Sequence, residues 1–268
     1  MTEFFKVSGS GNDFVALVEP PETPSSEHIK AWCRRGVSLG ADGLFVLRRA
    51  GAGAAEMEYF NADGDSADLC LNGTRCAAQL AFHLGWAGKS LRVHTPAGSF
   101  AARRLDDSRV AVELPAPPEG PREVTLDVGG RPYAGWRVVV GVPHLVLVWD
   151  EGLDGAPVVE LGRRLRHHPN LQPAGSNVNF VRFSGRQSLE IRTYERGVED
   201  ETLSCGTGVL AAAAVGLASG RSTLPLAATT RGGFELVVEG DRASGRWSLA
   251  GDARLVARGL LLPGAAAG

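Results

Sequence analysis

Asp68-Leu69-Cys70-Leu71-Asn72-Gly73-Thr74-Arg75-Cys76 and Leu203-Ser204-Cys205-Gly206-Thr207-Gly208 each place a cysteine where a polar loop gives way to small and apolar residues. Cys70 and Cys205 lie 135 positions apart (205 − 70), and the same shift lays Tyr59 on Tyr194, Asp65 on Asp200, Gly73 on Gly208 and Ala77-Ala78 on Ala212-Ala213. An internal duplication explains this, each half running strand, loop, Cys, Gly, Ala-rich helix. Compositional bias in an Ala- and Gly-rich chain is the competing explanation, but cysteine is scarce here, with four in 268 residues. The helices are expected from about Asn72 to Leu84 and from Gly206 to Ser219. The second is almost wholly Ala, Val, Leu and Gly. A helix apolar on every side has no solvent face, so it belongs inside a shell of strands.

Outward from these junctions, Glu56-Met57-Glu58-Tyr59-Phe60, Arg109-Val110-Ala111-Val112-Glu113-Leu114 and Ser188-Leu189-Glu190-Ile191-Arg192 alternate as half-buried strands do. Pro115-Ala116-Pro117-Pro118-Glu119-Gly120-Pro121 forces extended chain and divides the sequence into near-equal halves. A fainter echo sets Gly11-Asn12-Asp13-Phe14-Val15 beside Asn177-Val178-Asn179-Phe180-Val181, at another offset.

Composition narrows the function classes. A net charge of −2 argues against a general nucleic-acid binder. No apolar run reaches the ~18 residues of a membrane helix, and the N-terminus lacks a secretory signal pattern. Four scattered cysteines fit a reduced, cytoplasmic protein better than a disulfide framework. Only Lys6, Lys30 and Lys89 are lysines, which leaves few candidates for a Schiff base. His167-His168 have no third and fourth ligand at metal spacing, so no metal site is expected. Ser8-Gly9-Ser10-Gly11-Asn12 is not followed by the Gly-Lys-Ser/Thr of a phosphate loop.

A cysteine at a helix start meets unpaired N–H groups and the positive end of the helix dipole. That setting favours a thiolate and equally favours a bound carboxylate. Cys33, inside the helical stretch His28 to Arg34, and Cys76, six residues into its helix, read instead as small buried hydrophobes. Two matched thiols from two halves packed face to face would reach opposite sides of one ligand. A chiral carbon could then lose its hydrogen to one sulfur and regain one from the other, which is two-base racemisation or epimerisation. Asn12, Asn61 and Asn177 are either turn residues or polar contacts for the ligand. Glu195-Arg196-Gly197, before the Cys205 loop, reads as solvated surface or as a site for an ammonium and a carboxylate. His144, after Pro143, is a candidate for shaping the site.

Phe5-Lys6-Val7-Ser8-Gly9-Ser10-Gly11-Asn12-Asp13-Phe14, Phe60-Asn61-Ala62-Asp63-Gly64, Cys70 to Cys76, Gly175-Ser176-Asn177-Val178-Asn179-Phe180 and Tyr194-Glu195-Arg196-Gly197 through Cys205-Gly206-Thr207-Gly208 together resemble diaminopimelate epimerase, in family order and across nearly the whole chain. The resemblance implies a mixed α+β fold of two pseudo-symmetric domains, each a curled, mostly antiparallel sheet around a central helix, with the active site in the cleft. The halves would span 1–116, completed by a returning strand in about 254–268, and 117–253. It implies conversion of LL- to meso-diaminopimelate for lysine and peptidoglycan synthesis, no pyridoxal phosphate or other cofactor, and a homodimer. Carried over by motif, Cys70 and Cys205 are the acid–base pair. Backbone at Leu71-Asn72 and Gly206-Thr207 would hold the reacting carboxylate. Asn12, Asn61, Asn177 and Arg196 would grip the distal end, and Glu195 an ammonium.

Two positions depart from the pattern. Leu71 stands where the family usually has Gly, and Val142-Pro143-His144 where it often has Asn-Pro-His. Both bear on substrate more than on reaction. The alternatives are a racemase of another amino acid, such as histidine, and a catalytically silent amino-acid-binding protein of the same fold. A single-thiol hydrolase fits less well, because sequence places no His beside either thiol.

Overall fold

The computed structural model describes residues 2–114, 118–241 and 245–266. Of the proline-rich segment, Pro115, Ala116 and Pro117 lie outside the described residues. The chain divides into two compact units, Met1–Pro115 with Ala250–Gly268, and Ala116–Leu249.

In the first unit, β1 (Thr2–Gly9) and β2 (Asn12–Val18) form a hairpin, followed by α1 (Ser26–Cys33), β3 (Gly43–Arg49), β4 (Ala54–Asn61) and the short β5 (Ser66–Ala67). Next come α2 (Leu71–His83), β6 (Ser90–Thr95), β7 (Gly98–Arg104) and β8 (Arg109–Glu113). The pairs β1–β2, β3–β4, β4–β5, β6–β7 and β7–β8 are antiparallel; β2–β3 and β4–β6 are parallel.

The second unit holds β9 (Glu119–Val128), β10 (Arg131–Val140), β11 (Val142–Val148), α3 (Val158–Arg166), β12 (Asn177–Gly185), β13 (Ser188–Glu195) and β14 (Asp200–Thr202). It continues with α4 (Gly206–Ala218), β15 (Leu226–Thr230), β16 (Glu235–Asp241) and the start of β17 (Arg246–Asp252), whose residues from Ala250 on belong to the first unit. Here β10–β11, β12–β13, β13–β14 and β15–β16 are antiparallel, whereas β11–β12 and β13–β15 are parallel. From β1 and from β10 onward the two units thus repeat the same strands in the same directions. The last strand, β18 (Arg254–Leu261), runs antiparallel on β1, as β9 does on β10.

This repeat accounts for the 135-residue shift. Helices α2 and α4 are each thirteen residues long and start 135 apart, at Leu71 and Gly206. Topology corrects the fainter echo. Asn12 opens β2 and Asn177 opens β12, but β12 is the counterpart of β3; the strand equivalent to β2 is β11, which opens at Val142. The likeness of the two Asn-containing segments is therefore not part of the duplication.

Both central helices are enclosed by their own unit. Every residue of α2 from Leu71 to Phe82 is buried, against strands β1–β4, β6–β8 and β18. In α4, Gly208 through Gly216 are buried against β9–β12 and β16. Strands with a helix on both faces lose the apolar–polar alternation. In β2, Val15 and Leu17 join Ile29 and Trp32 of α1 in an outer cluster, while Phe14 packs on Phe45 and Tyr59. In the second unit α3 plays the part of α1, with Val158, Leu161 and Leu165 packed on Val178, Phe180 and Tyr194. Helix α3 escapes a search for apolar runs because arginine fills its outer face: Arg163, Arg164 and Arg166 occupy its last turn.

Close approach of α3 to the strands depends on Gly162, where a Cβ would come within 2.5 Å of Tyr194 Cβ. Gly162→Ala is expected to destabilise the protein by about 1–3 kcal/mol through overpacking, read as a lowered Tm in thermal denaturation. An unchanged Tm would mean that α3 is free to shift.

Candidate active site

In each unit a cysteine forms the N-cap of the enclosed helix with nearly the same backbone. Cys70 has φ −137° and ψ 103°, and Cys205 φ −131° and ψ 106°. An N-cap leaves the first helical N–H groups without intrahelical acceptors, so both helices offer donors beside a sulfur. At the first, Cys70 Sγ accepts from Gly73 N–H at 3.4 Å. At the second, Cys205 Sγ lies 3.5 Å from the Thr207 hydroxyl. Cys70 is half-buried and Cys205 buried. Leu71, the first residue of α2, is buried, as is Asn72.

The other two cysteines differ in kind. Burial pushes the Cys33 thiol up to about 11 and raises that of the fully buried Cys76 further. Gly9 explains how Cys76 is closed in: a Cβ there would come within 2.8 Å of its sulfur. The packing agrees with the expectation that both are structural.

Around the first helix end, Asn72 Nδ2 donates to Asn12 Oδ1 at 2.6 Å, and Asn12 Nδ2 donates to Asp42 Oδ2 at 3.2 Å. Two of the expected contact residues therefore touch each other. Asn61 ends β4 and opens a turn in which its N–H donates to Asp65 O at 2.9 Å and its carbonyl accepts from Gly64.

Around the second helix end, Asn177 Oδ1 accepts the Arg196 N–H at 2.8 Å, and Arg196 Nη1 donates to Ala174 O at 3.2 Å. Glu195 Oε2 accepts from the Thr202 hydroxyl at 2.8 Å. His144 is fully buried, with Nδ1 3.2 Å from Asn179 Nδ2, while its Nε2 has no partner among the described residues. Burial, assisted by the Arg196 charge, lowers the imidazole to about 3, so the ring is neutral at neutral pH. Asn179 also accepts from Thr193 Oγ at 3.0 Å and lies under α4, where a Cβ at Gly208 would collide with its Oδ1. Gly208 is thus small because the amide sits there.

Sequence reasoning missed three contributors. Asp42 holds Asn12, and Glu199 ties the Arg196 turn to α3 by accepting from Gly197 N–H and pairing with Arg166, each at 3.1 Å. Arg75 is a charged residue with no exposed surface, in the first turns of α2. Their signals lay in tertiary pairing rather than in local pattern. His167 is exposed and lies 3.3 Å from Glu199. No group of three metal-ligating side chains occurs among the described residues, and no described helix is long and apolar enough to cross a membrane.

The diaminopimelate epimerase family profile matches residues 4–117 and 137–256, a range that includes both helix ends. The chain belongs to that family. It is 38% identical over 251 residues to the diaminopimelate epimerase of Aquifex aeolicus (strain VF5), spanning 88% of this chain and 89% of that one. It is 36% identical to the diaminopimelate epimerase of Methanothrix thermoacetophila, over 97% and 95% of the two chains. Among solved structures, a phenazine biosynthesis protein of the PhzF family from Enterococcus faecalis superposes with TM-score 0.73 at 17% identity, covering 97% and 99%. A hydroxyproline epimerase from Agrobacterium vitis, with bound trans-4-hydroxy-L-proline, gives 0.69 at 17% identity, covering 96% and 91%. At such identities these two show a shared fold and nothing more.

Alkylation separates the two kinds of thiol. Brief treatment with iodoacetamide at pH 8, followed by peptide mapping, is expected to label Cys70 and Cys205 and to spare Cys33, which is about one part thiolate in a thousand there. Labelling of Cys33 or Cys76 at a comparable rate would contradict this division.

Proposed function

We propose that this chain is a pyridoxal-phosphate-independent diaminopimelate epimerase, converting LL- to meso-diaminopimelate with Cys70 and Cys205 as the acid–base pair. The single observation that carries the mechanism is the pair of N-cap cysteines with matching backbone at the starts of two enclosed helices. Membership of the family supports the substrate.

In the proposed reaction the chain works as two epimerase halves, 1–116 with 254–268, and 117–253, each of which supplies one cysteine. The thiolate of one cysteine removes the α-proton, forming an S–H bond as the C–H bond breaks. The electron pair moves into the carboxylate, giving an enediolate-like charge. N–H groups of Leu71-Asn72 and Gly206-Thr207 stabilise that charge as it develops. The opposite thiol then protonates the carbon on its other face. One sulfur ends protonated and the other ionised, so protons and charge balance and the reverse reaction exchanges the roles. Asn12, Asn61, Asn177 and Arg196 hold the distal amino-acid end, Glu195 takes an ammonium, and neutral His144 shapes the wall beside Asn177. Leu71 and Val142 are accommodated variations.

The enzyme acts in the cytoplasm in lysine and peptidoglycan precursor synthesis, as a homodimer. Val256, Leu260 and Leu262, more than half exposed on and just after β18, offer apolar surface to a second copy.

Incubation with LL-diaminopimelate under reductant and without pyridoxal phosphate is expected to yield the meso form. Cys70→Ala and Cys205→Ala are each expected to lower turnover by at least about 10³-fold while ligand binding persists. Near-normal turnover in either variant would refute the two-thiol mechanism. Activity on other amino acids, but not on this one, would keep the mechanism and reassign the substrate. Ligand binding without any α-proton exchange would favour a silent binding protein.

A further inference from the structure

Arg75 is fully buried, and the described residues place no carboxylate in hydrogen-bond contact with it. Burying a guanidinium is costly unless its donors are used. Here Nη2 donates to Asn72 Oδ1 at 2.7 Å and to Ser10 Oγ at 2.8 Å, and Nε reaches the Asp252 carbonyl at 3.4 Å. Nη1 has no partner among the described residues. Asp252 is engaged elsewhere: Oδ1 accepts both Ser10 N–H and Ser10 Oγ–H, and Oδ2 accepts from Arg254.

Ser10 occupies the left-handed region at φ 52°, followed by Gly11 at φ 92°, in the two-residue turn that delivers Asn12 to β2. Arg75 therefore grips the turn on which Asn12 stands as well as the amide that touches Asn12.

The chain of bonds has a direction. A guanidinium only donates and a carboxylate only accepts. Arg75 at one end forces Asn72 to turn its oxygen inward and its nitrogen toward Asn12. At the other end Asp42, held by Arg35 at 2.7 Å and accepting the Asp13 N–H at 3.1 Å, forces Asn12 to turn its nitrogen toward itself. Flipping Asn12 would set N–H against N–H at Asn72 and oxygen against oxygen at Asp42; flipping Asn72 would set oxygen against oxygen at Asn12 and N–H against the guanidinium at Arg75.

We propose that Arg75 and Asp42 are positioning residues which together fix the direction of the Asn72–Asn12 amide pair, leaving the second N–H of Asn12 oriented toward a carboxylate oxygen of the substrate. This rests on the reading of Asn12 as a substrate contact. Neither residue touches the reacting carbon, so their removal weakens capture of the ground state rather than the proton transfer.

The test compares Asp42→Asn, Arg75→Gln and Arg75→Lys with wild type. Asp42→Asn keeps the shape and lets the amide take either orientation, Arg75→Gln replaces the donor-only cation by a shorter amide that can donate or accept, and lysine keeps a donor-only cation. Folding is checked by near-ultraviolet circular dichroism, and Asp42, partly exposed, provides a variant that leaves the core intact. Asp42→Asn and Arg75→Gln are each expected to raise KM for LL-diaminopimelate about five- to tenfold, with kcat within about twofold. Arg75→Lys is expected nearer wild type, and the double variant less impaired than the product of the singles. Side-chain amide NMR supplies a readout that needs no turnover: one sharp NH₂ pair for each of Asn12 and Asn72 in wild type, broadened or doubled in the amide variants. Unchanged amide signals in folded variants, KM within about twofold of wild type, or a loss confined to kcat would each overturn the proposal. A wild-type chain inactive on LL-diaminopimelate would fail the reading of the reaction, and the amide spectra would still decide the relay.

Discussion

A helix with no solvent-facing side can meet a ligand only at its ends, and this constraint organises both units. Wrapping α2 and α4 in strands leaves their N-termini as the places where unpaired N–H groups stay available. The residue at that boundary is a cysteine in both cases, set by nearly the same φ and ψ. The alanines and glycines of the helices follow from the same constraint, because strands close on every side and larger side chains would hold them off. Gly208 over Asn179 and Gly73 beside Met57 are local instances, the latter leaving 3.0 Å between a would-be Cβ and Met57 Cε.

The two helix ends are alike in backbone and unlike in what supports them. Behind Cys70 stands a buried cation, Arg75, joined through Ser10 and Asp252 to the strand that re-enters the first unit. Behind Cys205 stand uncharged groups: Asn179 with Thr193 and a neutral His144. The 135-residue shift carries Arg75 onto Leu210, so duplication kept the cap and replaced the support.

The sequence made the central helices legible to within a residue at either end, because small apolar residues on all faces have one physical explanation. The cysteines were legible because scarcity makes a repeated position informative. Helix α3 was not, since its arginines hide a stripe formed by Val158, Leu161 and Leu165. Local likeness sets Asn177 beside Asn12, and only strand order shows that β12, which Asn177 opens, is the counterpart of β3. Arg75 was one letter of a motif. Its burial depends on Ser10 and on Asp252, 65 and 177 positions away, which no local pattern encodes.

Whether two thiols act on opposite faces of one carbon is decided by where solvent deuterium first appears. With LL-diaminopimelate in deuterated water, product and recovered substrate are separated at low conversion and their α-deuterium is measured by mass spectrometry. A two-base mechanism delivers the new hydrogen from the sulfur opposite the one that removed the old. Meso product is expected to be labelled at the inverted centre and recovered LL substrate to be essentially unlabelled. Equal labelling of both pools from the earliest times would mean that one exchanging base serves both faces, and would contradict the two-base mechanism.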